Sequence, residues 1–574
     1  MSSALPTDGS ILLTSRAAIR CARRAHNDHD PALDSSQWVD IEPSHWAQQG
    51  IEFEAAVRAH LRDALGNRVV DLSDLTHSES TARTISAMGV GIPVIIGGAL
   101  PDDPAGGRRG RPDLLVSTGP RPDGIPGYLP ADIKSHVVTK AAALGSAQAT
   151  HLHRLSDAHS PTAVARRGAA TGYRFNDLMQ LAHYWRMLEA AGHASHLGPL
   201  AGLIGSDTFT DEPWLLWQRL DDPVFTTFSR SRGSTKRSAL ERYDHEFEFR
   251  LSIAEAARAE SEALVRPIIV EECDSCPWHE VCLEQVGELE PSRHITSGRL
   301  GVREWNALHV RGVRTLPELA SLTLDDLRLA NYWNELDISA AKARQRLGDA
   351  ITRAQMLMNG ERLRRLTSGP IDVPRADVEV DFDIEWDTDG RIYLWGLLVT
   401  NHDGTRVASL AEWVALDDMS EAALATTALR QLTTLRDDAA ATGQSFAVYH
   451  YSHPEVTMVR ALLTRVASSS LPSLAEWDAV TAVHFVDLWR IMKEHFIGVK
   501  GLGLKQVAPW AGFGWQDDDP SGEASMQWVE HARHADDPAE RDASRERLLQ
   551  YNTDDVRATL AVRRRMAQES QANE

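Results

Sequence analysis

Val378-Glu379-Val380-Asp381-Phe382-Asp383-Ile384-Glu385-Trp386 alternates apolar and acidic residues without a break. A period of two is that of a β-strand, so the stretch predicts a strand with one apolar face and one acidic face. The turn dipeptide Asp389-Gly390 follows, then a second strand-like run from Ile392 to Val399, and together they predict a hairpin. Four carboxylates on one strand face repel one another, which is unfavourable unless the face is solvated or a cation sits on it. Far downstream, Tyr551-Asn552-Thr553-Asp554-Asp555-Val556 reads as part of a helix continuing to about Met566. Tyr551 and Asp555 are four apart, so a phenol and a carboxylate share one helix face.

D-x-E on a first strand and Y-x3-D on a late helix resemble the DEDD exonucleases of the RNase H-like fold, in their tyrosine variety. The resemblance implies Mg2+ or Mn2+ ions that clamp the attacking and leaving oxygens of a phosphodiester. It implies Asp383 and Glu385 as the first ligands, Asp555 as the last acid, and Tyr551 as the residue that positions the water. Tyr449 to Glu455 stands where that family has an Asn-containing motif ending in Asp, so Glu455 is the expected middle ligand, with Asp487 as the alternative. Gly501 to Ala508 (G-L-G-L-K-Q-V-A) resembles the family's S-L-K-x-x-A stretch and implies a phosphate contact for Lys505.

Toward the N-terminus, Gly110-Arg111-Pro112-Asp113-Leu114-Leu115-Val116 puts an acid at the head of an apolar strand. A second strand, Tyr128 to Lys134, carries Asp132 and Lys134 two apart, hence on one face. Asp113 and Asp132 could jointly hold a divalent metal while Lys134 orients the attacking water, and Glu54 could add a ligand from a helix. Gln180 and Tyr184, four apart on a helix, could face DNA together. Cys273, Cys276 and Cys282 form C-x2-C-x5-C, and the chain's only other cysteine is Cys21. Four thiols and no spare suit a soft metal centre, either tetrahedral zinc or a 4Fe–4S cluster, which would clasp the two ends of a long loop.

Glu, then G-R-P-D, then D-x-K, then Q-x3-Y, between one early and three late cysteines, resembles the iron–sulfur subgroup of the RecB-type PD-(D/E)xK nucleases. That resemblance covers about residues 15 to 285 and implies a 4Fe–4S cluster rather than zinc. The chain departs from the pattern twice: Glu54 stands where relatives often have histidine, and Asp132 where many have Glu. Ala307 to Leu322, two short helical stretches around Val310-Arg311-Gly312-Val313, resembles a helix–hairpin–helix that could hold a phosphate through backbone N–H groups. Taken together, the halves resemble RecB-like nucleases with a C-terminal RNase H-like domain. The expected architecture is α/β: residues 1–290 a restriction-endonuclease-like domain, 291–366 a helical linker, and 367–574 the RNase H-like domain.

Length and composition are compatible with this. A chain of 574 residues suggests about three domains, and 43 % hydrophobic with 25 % charged residues is the balance of a globular protein. No run of about 18 apolar residues exists, no basic n-region opens the chain, and four cysteines are too few for a secreted scaffold, so the cytoplasm is expected. The net charge of −21 does not favour nucleic acid, but binding depends on local patches. The arginine clusters at 16–24, 108–111, 362–365 and 563–565 each read as solvated faces rather than phosphate tracks. The acidic, Gly/Pro/Ser-punctuated stretch from Asp517 to Asp542 reads as a mobile surface loop. No G-x4-G-K-[ST] loop occurs, so ATP-driven unwinding would have to come from a helicase partner. The function expected is that of a metal-dependent nuclease, a DNA exonuclease acting on single-stranded DNA in repair, recombination or degradation. A binding module with a regulatory cluster, or an RNA-directed exonuclease, is the alternative.

Overall fold

In the computed structural model the described residues are 10–33, 35–38, 45–141, 149–155, 164–167, 169–206, 214–229, 233–466, 468–517 and 522–571. The chain divides into two compact units. Residues 1–293, 300–312 and 325–344 form the first; 294–299, 313–324 and 345–574 form the second. The segment 291–366, expected as a separate linker, thus contributes to both units. Both are α/β, as expected. Among the described residues no helix is long and apolar enough to cross a membrane.

The first unit is built on an eight-stranded mixed sheet of β1 (Val69–Asp71), β2 (Val94–Ile96), β3 (Leu114–Pro120), β4 (Pro126–Ile133), β5 (Ala149–Arg154), β6 (Val164–Arg167), β7 (Leu200–Ile204) and β8 (Trp214–Arg219). Their order is β1-β2-β3-β4-β7-β8-β5-β6. β3 pairs antiparallel with β4, setting Leu114 opposite Ala131, and β4 runs parallel to β7. Short α1 (Ala22–Asn27), long α2 (His45–Leu65), α3 (Phe175–Ala190) and α4 (His279–Val286) carry the residues of interest. α3 buries Leu178, Leu181, Ala182 and Met187, apolar at helical spacing, in a core shared with Leu115 and Leu129.

In the middle segment, α5 (Val302–Val310) and α6 (Leu316–Ala320) flank a turn at Arg311-Gly312, and Thr315 and Glu318 form the capping box of α6. Arg311 is no free cation: its guanidinium pairs with Glu335 at 2.9 Å.

The second unit holds a five-stranded sheet of β9 (Val378–Trp386), β10 (Ile392–Asn401), β11 (Gly404–Ala411), β12 (Phe446–His450) and β13 (Phe485–Asp487), in the order β11-β10-β9-β12-β13. β9 and β10 form the expected hairpin, turning at Gly390, whose φ of +70° needs no Cβ. β9 is therefore a central strand and not a solvated edge. Its apolar face (Val378, Val380, Phe382, Ile384) packs on Ala425, Ala428, Leu429 and Leu432 of helix Asp418–Ala441. The acidic face lies under the terminal helix. The other elements used below are α7 (Pro454–Arg465), α8 (Leu488–His495), α9 (Gly522–His534) and α10 (Pro538–Gln571). Most of the stretch 517–542 is thus helical, not a loop: Trp528, Val529 and Ala532 of α9 are buried with Tyr393, Leu548 and Tyr551. Residues 518–521 lie outside the described residues.

Candidate functional sites

The four acids of β9 meet different partners. Glu379 and Asp381 are buried and closed by Arg563 from α10. The Arg563 guanidinium donates to Asp381 Oδ1 at 2.7 Å and Oδ2 at 3.0 Å, and to Glu379 Oε2 at 2.6 Å. It lies 4.4 Å from the Tyr449 ring centroid, and Arg375 closes the other Glu379 oxygen at 2.6 Å. Just beyond the strand, Asp387 is closed by Arg533 at 2.9 Å.

Between these closed acids, Asp383 and Glu385 accept hydrogen bonds from neutral groups. Asn552 Nδ2 donates to Asp383 Oδ2 at 2.7 Å, and Ser525 Oγ donates to Glu385 Oε2 at 3.1 Å. Asp555 accepts the indole N–H of Trp515 at 2.7 Å. Asp383, Glu385 and Asp555 each offer a ligand oxygen within 4.8 Å of the others, the only such group of three or more His, Cys, Asp or Glu among the described residues. Gly396, cross-strand from Asp383, makes room for this: a Cβ there would stand 2.0 Å from the Asn552 amide oxygen.

Buried carboxylates this close oppose one another's ionisation. Burial and the neighbouring Asp555 and Glu385 push Asp383 well above the carboxylate range. Glu385 is pushed up to about 8 and Asp555 to about 6, burial being the main cause in each. Asp383 and Glu385 therefore hold their protons near neutral pH until a cation joins them. Glu455, at the start of α7, is buried; burial raises its pKa, and its repulsion reaches Asp383. Asp487 is engaged instead as the N-cap of α8, accepting N–H groups of Trp489 at 3.0 Å and Ser452 at 3.2 Å. Lys505 Nζ donates to Tyr551 Oη at 2.6 Å and sits 4.6 Å from the ring centroid. Tyr551 also faces Asp555, and burial with these acids raises its pKa far enough to keep the phenol protonated.

In the first unit Asp113, Asp132, Lys134, Gln180 and Tyr184 form one chain of contacts. Ile133 N–H donates to Asp113 Oδ2 at 2.7 Å, and Lys134 Nζ reaches both Asp132 Oδ2 and Gln180 Oε1 at 3.0 Å. Gln180 Nε2 donates to Tyr184 Oη at 3.2 Å, which meets Ser15 Oγ at 3.1 Å. Tyr184 is buried, and the half-buried Gln180 braces Lys134. Glu54 is ion-paired to Arg58 one turn along α2. Burial, then Asp132 and Glu54, raise Asp113 to about 8. Burial pulls the Lys134 ammonium down, but Asp132 and Asp113 outweigh it and hold it above the usual range.

The cysteines converge although Cys21 is far from the others in sequence. Cys273, Cys276 and Cys282 are buried with Ile269, Trp278 and Val281, and Cys21 stands at the N-cap of α1. Its N–H donates to Glu272 at 2.9 Å, and Trp278 Nε1 donates to Asp28 at 2.7 Å, so the early and late segments are tied. Val270 N–H points at Cys273 Sγ (3.4 Å) and Asn27 Nδ2 at Cys282 Sγ (3.5 Å). Burial pushes Cys273 up to about 12 and Cys282 to about 11, with neighbouring cysteines adding to the rise. A four-sulfur donor set in an apolar shell with N–H···S donors fits a soft metal centre.

Several of the arginines expected on solvated faces are internal. Arg563 and Arg23 are buried, and Arg111 of the G-R-P-D stretch donates to the carbonyls of Gly97 at 2.6 Å and Ser73 at 3.1 Å. They hold the fold and are not phosphate tracks. Sequence reading missed Asn552, Ser525 and Trp515; only Asn552 carried a signal, lying three residues before Asp555 on the same helix face.

The model of a family described as the RNase_H superfamily matches residues 380–567, which span the β9 acids and Asp555. The C-terminal part of the chain is thus RNase H-like, in a superfamily that generally comprises nucleases. No curated protein and no solved structure matches the chain.

Proposed function

We propose that the chain is a metal-dependent nuclease, a DNA exonuclease, whose reaction centre is formed by Asp383, Glu385, Asp555 and Glu455. The observation that carries this is the contrast along β9. Acids on both sides of the centre are closed by arginines, whereas Asp383, Glu385 and Asp555 converge with neutral hydrogen-bond donors, and the nearby Lys505 bonds to Tyr551 rather than to an acid. A bound Mg2+ or Mn2+ would stabilise the charge developing on the phosphodiester and lower the pKa of the attacking water. The protein's own groups prepare that site: Asn552, Ser525 and Trp515 fix one oxygen each of Asp383, Glu385 and Asp555, leaving the others to face inward. Tyr551 keeps its proton and is held by Lys505, so it orients a water rather than taking a proton from it. Lys505 supplies positive charge for the scissile phosphate.

The first unit supports a second reading beside this one, a PD-(D/E)xK-type centre using Asp113 and Asp132 with Lys134 held by Gln180. Its four cysteines would hold a 4Fe–4S cluster, and iron and sulfide analysis would distinguish it from zinc, the alternative.

Cleavage of end-labelled single-stranded DNA with Mn2+, using the full chain purified without oxygen, tests the proposal. Lys134→Ala is expected to leave the products of the second unit, and Asp383→Asn to abolish those products. Cleavage that survives Asp383→Asn and disappears with Lys134→Ala would move the activity to the first unit and overturn the assignment.

A further inference from the structure

In a chain of net charge −21, three of the seven lysines fall within thirteen residues, Lys493, Lys500 and Lys505. Lys505 is at the carboxylate centre. Arg490 and Lys493 project from α8 and, with Ser452, His453, Pro454, Asp487, Trp489 and Glu494, line a cavity.

That cavity borders the carboxylate centre. Its wall Ser452-His453-Pro454 runs directly into Glu455, and Ser452 is held at φ +80°, a left-handed conformation for a residue with a Cβ. The surrounding structure fixes it there: Asp487 accepts the Ser452 N–H, and the preceding Tyr451 donates its hydroxyl to the carbonyl of Leu502 at 2.6 Å. The loop between the centre and the cavity is therefore anchored where it begins, at Tyr451 and Ser452.

The cavity's charge is positive where it is free. Asp487 directs its carboxylate at the N-terminus of α8, receiving N–H groups from Trp489 and Arg490 as well as Ser452. Arg490 and Lys493 are exposed, and among the described residues neither is ion-paired. Glu494 is the one acid left to oppose them. The Lys493 ammonium lies 4.9 Å from the centroid of Trp489, whose ring is half-buried and forms part of the wall. Two unpaired cations and an indole beside a phosphodiester-cutting centre are the parts of a single-strand binding groove. The cations match the backbone, and the ring offers an apolar surface to a base.

We propose that this cavity is a subsite for the single strand being cut, with Arg490 and Lys493 on phosphates adjoining the scissile one and Trp489 against a base. It rests on the nuclease reading of the Asp383 centre and adds which surface carries the substrate. The test uses the full chain carrying Lys134→Ala, so that the products come from the second unit, with an end-labelled oligodeoxythymidylate and Mn2+ at several salt concentrations. Arg490→Ala/Lys493→Ala is expected to raise KM about tenfold with kcat unchanged. The slope of log(kcat/KM) against log[salt] should fall by about 1.4, about 0.7 for each lost phosphate contact on a single strand. The charge-keeping pair Arg490→Lys/Lys493→Arg should retain the parent slope, and Trp489→Leu should weaken binding without changing it. A parent that cuts DNA while the double alanine variant keeps its KM and slope overturns the subsite and leaves the centre standing. A parent that neither binds nor cuts any oligonucleotide overturns the nuclease reading and the subsite with it.

Discussion

Glu379 and Asp381 share a strand face with Asp383 and Glu385, and one helix, α10, crosses all four. Its residues Asn552, Asp555 and Arg563 recur at helical spacing and face that strand. Over Glu379 and Asp381 the helix sets a guanidinium, and those acids become an internal ion pair. Over Asp383 and Glu385 it sets a third carboxylate, and the cluster then requires a cation from outside. An acidic strand face alone therefore does not define a metal site. The charge of the residue opposite it decides whether the acids serve the fold or a ligand. The first unit resembles the closed half more than the open one: Asp132 is paired with Lys134 and Glu54 with Arg58, a protein cation already beside each.

The contrast can be broken from either end. The largest effect belongs to Asp383→Asn, which should cut cleavage about a thousandfold, the scale seen when a transition-state charge loses its stabiliser. The metal-free protein should melt no lower, because burial and its acidic neighbours already hold Asp383 protonated and the amide replaces a neutral carboxyl of the same shape. A fall of several degrees would show that Asp383 is structural. Next is Arg563→Met, which leaves Asp381 buried without its partner and Glu379 with Arg375 alone, and should cost about 3–5 kcal/mol, read as a lower midpoint in urea. An unchanged midpoint would dissolve the distinction between the halves. Smaller is stabilisation by Mn2+: about 2.7 kcal/mol at a hundred times its dissociation constant in the wild type, and none from this site in Asp383→Asn.

A further effect is a pH dependence. Glu385 has a folded-state pKa of about 8, above its unfolded value, so the folded protein binds the extra proton and the associated stability is present at low pH. It is lost as pH rises through about 8, and Glu385→Gln should flatten that part of the metal-free stability profile. A profile identical in variant and wild type would remove the coupling among the three acids.

Much of this was legible locally. The period-two run at 378–386, the Asp-Gly turn and the Y-x3-D spacing each report on a few neighbouring residues, and the structure has the strand, the hairpin and the shared helix face. The cysteine spacing was likewise read locally, and in the fold the segment of Cys21 is tied to that of the other three through Glu272 and Trp278. What could not be read was partnership across the chain. Arg563 stands 182 residues from Asp381, within a basic triplet that looks like a solvated face. Ser525 hid in a stretch whose Gly, Pro and acidic residues outweighed the Trp528/Val529/Ala532 face that folds it onto the sheet. Gln180 and Tyr184 were placed correctly on one helix face, but periodicity does not say whether that face meets solvent, and here it meets Lys134 and Ser15.

The most direct measurement is a calorimetric titration of Mn2+ into the full chain carrying Asp132→Asn, which silences the first unit, compared with the same chain carrying in addition Asp383→Asn or Asp381→Asn. Binding that Asp383→Asn abolishes and Asp381→Asn preserves is the predicted result. Equal loss in both, or full binding in both, would contradict the division of this strand into a closed half and an open one.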